Sequence, residues 1–356
     1  MLYKKIKVLI VDDSAVVRKV LSQLIENEAD MEVVATAQDP YVARDKLVAL
    51  KPDVMTLDIE MPRMDGLTFL KKVMAHFPIP TVIVSSVTKQ GCETSLKALE
   101  IGAVSVVPKP SEAYSIESIE GTLLSAIRSA ALVRIANRVP SPMPVAHDTV
   151  VPSPSKNLIT GIATTNKIIA IGSSTGGTEA LKDVIYKLPP NTPGTLIVQH
   201  MPAGFTAAFA ERLNASAQIE VREAKDGDSV TPGLALIAPG DFHMVLRRDG
   251  ARYVVRLKRG PQVHYQRPAV DVLFKSVAEF AGNNAVGVIL TGMGKDGAAG
   301  VRLMKDAGSI NIAQDEKTSV VYGMPKAAFE TGAIDYVEPL GHIADKIIEV
   351  VNKRMK

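Results

Sequence analysis

The stretch Ile168-Ile169-Ala170-Ile171-Gly172-Ser173-Ser174-Thr175-Gly176-Gly177-Thr178-Glu179 reads as strand, sharp turn and helix, in that order. An apolar run ends in glycine. Two serines and a threonine follow, and two more glycines open a helix-forming segment. Small residues let the backbone turn tightly and let a substrate come close. Gly172-Ser173-Ser174-Thr175-Gly176 fits the G-x-S-x-G spacing, in which the middle serine stands at the apex of a strand-to-helix turn. The helix start behind it offers unpaired N–H groups and a positive dipole end, both suited to a developing oxyanion, and Thr175 is a candidate there. The same residues also read as a Gly-rich phosphate or dinucleotide loop, or as an ordinary turn.

Downstream the alternation continues. Thr195–Val198 is a short apolar run ending in Gln199-His200-Met201-Pro202, and helical patterning follows over 206–214. Ala235–Ala238 is strand-like, and Asp249-Gly250 turns a hairpin. A helix is predicted over Val270–Phe280 and a buried strand over Ala285–Leu290, which ends in Thr291-Gly292-Met293-Gly294-Lys295-Asp296-Gly297. Ser309–Ala313 is a further strand, and His342–Arg354 an amphipathic helix. The pattern implies a doubly wound, Rossmann-like parallel sheet with a small antiparallel hairpin. Ser174, His200 and Asp296 each follow directly on a predicted strand, and in a parallel sheet those ends share one edge. A serine hydroxyl needs an imidazole to take its proton and a carboxylate to hold the imidazole, so these three are the candidate catalytic group. An N–H near Met293 is a candidate oxyanion donor. His243 and His264 are rival bases, Asp271 is a rival carboxylate, and Asp296 also reads as a helix cap.

Upstream, strands are predicted at Lys7–Val11, Glu32–Ala37, Val54–Leu57, Thr81–Ser85 and Val104–Val107, with helical spacing between them, as in Val16, Val17, Val20, Leu21, Leu24 and Ile25. Five βα units imply a second parallel sheet covered on both faces. Asp12-Asp13 closes its first strand, Asp58 its third, Ser85 its fourth, and Lys109 follows its fifth. Converging carboxylates repel one another unless a cation sits among them, and hard oxygen ligands suit Mg²⁺. With a hydroxyl and an ammonium beside them, they describe a phosphoryl-transfer site in which a carboxylate is the acceptor.

Between the two patterns, Val139-Pro140-Ser141-Pro142-Met143-Pro144 and Val151-Pro152-Ser153-Pro154-Ser155 carry neither periodicity and read as a tether. The expected division is 1–134, a linker over 135–166, and 167–356. The 356 residues suit two domains of about 100–200 residues each. Net charge is +3 and no tryptophan is present, so nothing in the charge or aromatic content argues for nucleic acid. A single cysteine, Cys92, excludes an internal disulfide and a cysteine-based zinc site. No signal-like segment opens the chain and no stretch reaches the ~20 apolar residues of a membrane span, so a cytoplasmic protein is expected.

Val-Asp-Asp-Ser at 11–14, Leu-Asp-Ile-Glu-Met-Pro-Arg-Met-Asp-Gly at 57–66 and Lys-Pro at 109–110 resemble a two-component receiver domain of flavodoxin-like fold. The resemblance implies that Asp58 is the phosphoacceptor. It implies Mg²⁺ on Asp13, Asp58 and the Glu60 carbonyl, with Asp12 acting through water. Lys109 would contact the phosphoryl group, Ser85 would be the switch hydroxyl, and the bond before Pro110 would be cis. Ile-Gly-Ser-Ser-Thr-Gly-Gly-Thr-Glu-Ala at 171–180, Gln-His-Met-Pro-Ala-Gly-Phe-Thr at 199–206, Ala-Pro-Gly-Asp at 238–241, Arg-Pro-Ala-Val-Asp-Val-Leu-Phe at 267–274 and Leu-Thr-Gly-Met-Gly-Lys-Asp-Gly at 290–297 resemble the chemotaxis protein-glutamate methylesterases. That resemblance implies Ser174 as nucleophile, His200 as base, Asp296 as its partner and Met293 in the oxyanion hole. It implies no cofactor for ester hydrolysis. The substrates would be glutamyl methyl esters and glutamines of chemoreceptors, the phosphodonor a chemotaxis histidine kinase, and contact with membrane arrays only through partners. In such proteins the unphosphorylated receiver covers the esterase crevice. The alternative is a response regulator whose output domain binds a nucleotide at Gly172–Gly177 without hydrolysis.

Overall fold

The computed structural model describes residues 4–110, 116–133 and 167–353. The linker reading, 135–166, lies outside them. The described residues form two compact units.

In the N-terminal sheet β1 (Ile6–Val11), β2 (Met31–Ala37), β3 (Val54–Asp58), β4 (Thr81–Ser85) and β5 (Ser105–Pro108) alternate with α1 (Ala15–Glu26), α2 (Pro40–Leu50), α3 (Gly66–His76), α4 (Lys89–Ile101) and α5 (Ile116–Ala131). The order is β2-β1-β3-β4-β5, parallel throughout. This is the flavodoxin-like order, with its topological switch between β1 and β3. β3 and β4 are buried at every position, as strands covered on both faces must be. Ser14, Asp39, Asp65 and Thr88 cap α1 to α4, each accepting a hydrogen bond from a first-turn N–H. On α1 the buried residues are Leu21, Leu24 and Ile25, while Val16 at its start is 72% exposed. The apolar spacing therefore reaches one turn further than the buried face.

In the C-terminal half of the chain the strands are β6 (Ile168–Ser173), β7 (Gly194–Gln199), β8 (Glu220–Glu223), β9 (Leu234–Ile237), β10 (His243–Asp249), β11 (Arg252–Lys258), β12 (Ala285–Ile289), β13 (Ile310–Gln314) and β14 (Tyr336–Glu338). The helices are α6 (Gly177–Ile185), α7 (Phe205–Asn214), α8 (Val270–Phe280), α9 (Ala298–Asp306), α10 (Met324–Glu330) and α11 (Leu340–Lys353). Seven strands form one sheet in the order β14-β13-β12-β6-β7-β9-β8, every pair parallel. β10 and β11 pair separately as the antiparallel hairpin, turned by Gly250 and Ala251, one residue later than expected because Asp249 pairs with Arg252. From β6 the chain builds outward through β7, then returns to build the other side from β12. The switch point is thus the crevice between β6 and β12, where open α/β sheets hold their ligands.

Sequence reasoning missed β8, β14 and α10. β8 is an edge strand of alternating charge, Glu220-Val221-Arg222-Glu223, and β14 has three residues, none of them buried. Neither carries the apolar signal that marks a strand. Among the described residues the cis X–Pro bond is Arg267–Pro268, not the one before Pro110.

Candidate active site

The serine turn is built from buried amides and one glycine in a left-handed conformation. Gly176, at φ +77°, caps α6 and lets the chain reverse directly after Ser174. Ser173 is fully buried, and its hydroxyl donates to Gln199 Oε1 at 2.7 Å. Gln199 Nε2 in turn donates to the Ser174 carbonyl at 2.9 Å. One buried side chain at the end of β7 therefore fixes both serines of the turn. Ser174 itself is only partly buried. Of the two hydroxyls, Ser173 is engaged in structure and Ser174 reaches solvent.

The loop leaving β12 lies directly against this turn. Ser174 N–H donates to Thr291 O at 3.0 Å, and Thr291 Oγ1 donates to Thr175 O at 2.9 Å. Gln314, from β13, holds Thr291 through its Oε1 at 2.8 Å from the Thr291 nitrogen. Gly292 has no room for a side chain, because a Cβ there would stand 2.8 Å from Ser174 Cβ and 2.3 Å from Met324 Sδ. Met293 follows, partly exposed. Among the described residues the Thr175 N–H donates to no acceptor. His200 continues from Gln199 at the end of β7 and is partly exposed. Strands in a sheet lie about 4.8 Å apart, so β12, β6 and β7, neighbours in this sheet and all parallel, end side by side along one edge.

Asp296 is buried, and its carboxylate accepts from Val270 N at 2.7 Å and Asp271 N at 2.8 Å. It does act as a helix cap, but for α8 and not for the helix that follows it. Asp271, in the first turn of α8, accepts from Gly300 N at 2.7 Å in the first turn of α9. The residues that precede these helices, Ala269 and Gly297, make no side-chain cap. Each helix start is thus capped by a carboxylate from the other's segment, which locks the Asp296 loop to the base of α8. Helix N–H groups and the helix dipole both favour negative charge at the start of α8. Asp271 also meets His264 Nε2 at 3.1 Å, and burial, with the Asp296 charge adding, pushes its carboxyl above the ordinary range. The rival base His243 has both ring nitrogens bonded to backbone, to Pro261 O at 2.9 Å and to Ala269 N at 3.2 Å.

On the N-terminal sheet, Asp12, Asp13 and Asp58 each bring a carboxylate oxygen within 4.8 Å of the others. Asp12 and Asp58 are buried and Asp13 is exposed. Lys109 Nζ lies 2.8 Å from Asp58 Oδ2 and 3.1 Å from Asp12 Oδ2. These are ion-pair contacts, and neither oxygen completes a directed hydrogen bond. Burial raises Asp12, and it raises Asp58 to about 6, against the pull of Lys109 in both cases. Burial alone would lower Lys109, but its close contact with Asp58, and with Asp12, leaves it above its ordinary value. Two incompletely satisfied buried carboxylate oxygens beside an exposed third carboxylate are a hard-oxygen set that fits Mg²⁺. Ser85 is buried at the end of β4, its Oγ 3.4 Å from Ser86 O, and the Glu60 N–H donates to Asp58 Oδ1 at 3.1 Å.

Fold and site together define a two-part α/β enzyme, a receiver-type sheet with an acidic pocket joined to a hydrolase-type sheet with a serine turn. A model of the response regulator receiver domain matches residues 8–119, and one of the CheB methylesterase family matches residues 169–347. The chain belongs to the protein-glutamate methylesterase/protein-glutamine glutaminase family. Protein-glutamate methylesterase/protein-glutamine glutaminase 2 of Syntrophus aciditrophicus is 57% identical over 347 residues, covering 98% of this chain and 99% of that relative. The protein-glutamate methylesterase/protein-glutamine glutaminase of Bdellovibrio bacteriovorus is 53% identical over 358 residues, covering 99% of both. The crystal structure of the Thermotoga maritima CheB methylesterase catalytic domain aligns at 45% identity with a TM-score of 0.51, over 52% of this chain and 98% of that one. The nucleotide-binding alternative finds no support in these relatives. Among the described residues no helix is long and apolar enough to cross a membrane.

Proposed function

We propose that this enzyme removes methyl groups from glutamyl methyl esters of chemoreceptors and deamidates their glutamines, under control of phosphorylation at Asp58. The observation that carries the reading is the packing of the Ser174 turn against the Asp296 loop at the switch point, with Ser174 N–H on Thr291 O. Ser174 Oγ attacks the ester carbonyl carbon as His200 takes its proton. Asp296, gripped by the first N–H groups of α8, stabilises the imidazolium. The N–H groups of Thr175 and Met293 receive the oxyanion. The C–O bond to methoxide breaks, and His200 returns the proton so that methanol leaves an acyl-Ser174. Water repeats the sequence, giving its proton to His200 and its oxygen to the glutamate. A glutamine differs only in losing ammonia. Hydrolysis needs no cofactor in this scheme.

Asp58 is the phosphoacceptor, and a chemotaxis histidine kinase is the donor. Asp13 and Asp58, with the Glu60 carbonyl, would hold Mg²⁺, and Asp12 would act through water. When bound, the ion supplies charge neutralisation for phosphoryl transfer. Lys109 contacts the transferred group and Ser85 supplies the switch hydroxyl. The test is methanol release from methylated receptor membranes. Wild type releases methanol and Ser174→Ala releases none above background. Methanol release surviving in Ser174→Ala would sink the assignment.

A further inference from the structure

His243 was a rival base by sequence, yet its ring is buried at the start of β10 and committed to backbone on both sides. Nδ1 accepts from the Ala269 N–H at 3.2 Å. A ring nitrogen accepts only when it carries no proton, so the neutral tautomer with hydrogen on Nε2 is the one these partners select. That Nε2–H donates to Pro261 O at 2.9 Å.

What His243 holds is the base of the catalytic carboxylate. Ala269 immediately precedes α8 and has no side chain to cap it. The next two N–H groups, of Val270 and Asp271, are those that grip both oxygens of Asp296. The Val270 side chain packs on Gly172 of β6, where a Cβ would stand 2.3 Å from Val270 Cγ1. The segment leading into α8 is pinned to the two ends of the β10–β11 hairpin: Asp241 N–H donates to Arg267 O at 3.1 Å, Arg267 Nε donates to Asp241 Oδ1 at 2.9 Å, and Arg267 Nη1 donates to Gly260 O at 2.6 Å. His243 is the member of this group that reaches the helix itself. A shift of the Ala269 peptide moves the two amides that aim Asp296.

We propose that His243 is a positioning residue for ester hydrolysis, setting the Asp296 carboxylate through the N-terminus of α8. It touches no substrate. The inference rests on Asp296 being the carboxylate of the catalytic group. A misaimed Asp296 fails to stabilise the imidazolium of the transition state and leaves ester binding alone, so kcat falls and KM does not.

The experiment measures methanol release from methylated receptor membranes by the full chain and four variants under one set of conditions, with thermal melts alongside. His243→Phe keeps a ring and removes both hydrogen bonds. His243→Asn places an oxygen acceptor near the Nδ1 position, facing Ala269. His243→Gln reaches instead toward Pro261. The expected result is a fall in kcat of about tenfold for the phenylalanine variant, the rate equivalent of one lost hydrogen bond, with KM within about twofold. Asparagine restores most of kcat and glutamine does not. Asparagine performing no better than glutamine overturns the proposal, as does a loss confined to KM or an unchanged kcat in the phenylalanine variant. If the phenylalanine variant does not fold, the asparagine and glutamine pair decides alone. Ser174→Ala separates the two levels: activity surviving there defeats the catalytic assignment itself, whereas an inactive Ser174→Ala beside an unimpaired His243→Phe defeats only this inference.

Discussion

At Ser173 the hydroxyl is buried against Gln199 Oε1, whereas Ser174 is partly exposed and is held through its backbone N–H on Thr291 O. Two adjacent serines should therefore respond in opposite ways. Ser173→Ala removes the buried hydrogen bond to Gln199, which costs about 0.5–1.5 kcal/mol and lowers the melting temperature while methanol release persists. Ser174→Ala abolishes release and leaves the melting temperature within error. Calorimetry and the methanol assay on the same two preparations check both. The G-x-S-x-G spacing distinguishes Ser174 from Ser173 in sequence, because spacing along a turn is a local property. Gln199 was invisible as a positioning residue. Its role comes from strand pairing across 26 residues of chain, Ser173 against Gln199 in register. Nothing in the composition of Gln199-His200-Met201-Pro202 distinguishes a buried clamp from a solvated amide.

Helices α8 and α9 exchange their caps, so neither is fully specified by its own sequence. Asp271→Ala removes the hydrogen bond to Gly300 N and is expected to cost about 1 kcal/mol in urea unfolding, with a smaller loss of activity than Asp296→Ala. An Asp271→Ala chain as stable as wild type would contradict the exchange. In the receiver, α5 is tied to the chain before β2 by Arg128, which meets Asp30 at 2.8 Å and Glu28 at 2.5 Å. The hydrogen bond from Arg128 holds the Asp30 carboxyl below the ordinary carboxylate range. A depressed carboxyl stabilises the fold fully above its unfolded pKa, near 4, and loses that contribution as pH falls through the lower folded value. Arg128→Ala should therefore destabilise at pH 7, by only about 0.5 kcal/mol because Asp30 is 46% exposed. The difference should vanish at the acid end of a pH series of urea midpoints. The core strands and Val270–Phe280 were legible in sequence, since each carries its own apolar period. β8 and β14 were not, because an edge strand borrows its order from the neighbour it pairs with.

For the whole chain, control should separate cleanly from chemistry. Asp58→Asn is expected to hydrolyse esters at the unphosphorylated wild-type rate and to gain nothing from a small-molecule phosphodonor. Chelating divalent cations should block activation of wild type while leaving its basal methanol release intact. Phosphodonor activation of the asparagine variant, or loss of basal release on chelation, would separate this protein from the scheme above. The sequence by itself determined the two parallel sheets, the order of their strand ends and the residue types placed there, because periodicity and turn chemistry are written locally. It also carried the receiver and methylesterase motifs, which are short and contiguous. Only the tertiary structure decided which serine is engaged by Gln199, which helix Asp296 caps, and that His243 is spent on backbone. Those outcomes depend on groups distant in sequence competing for the same buried hydrogen bonds, and the winner is set by packing.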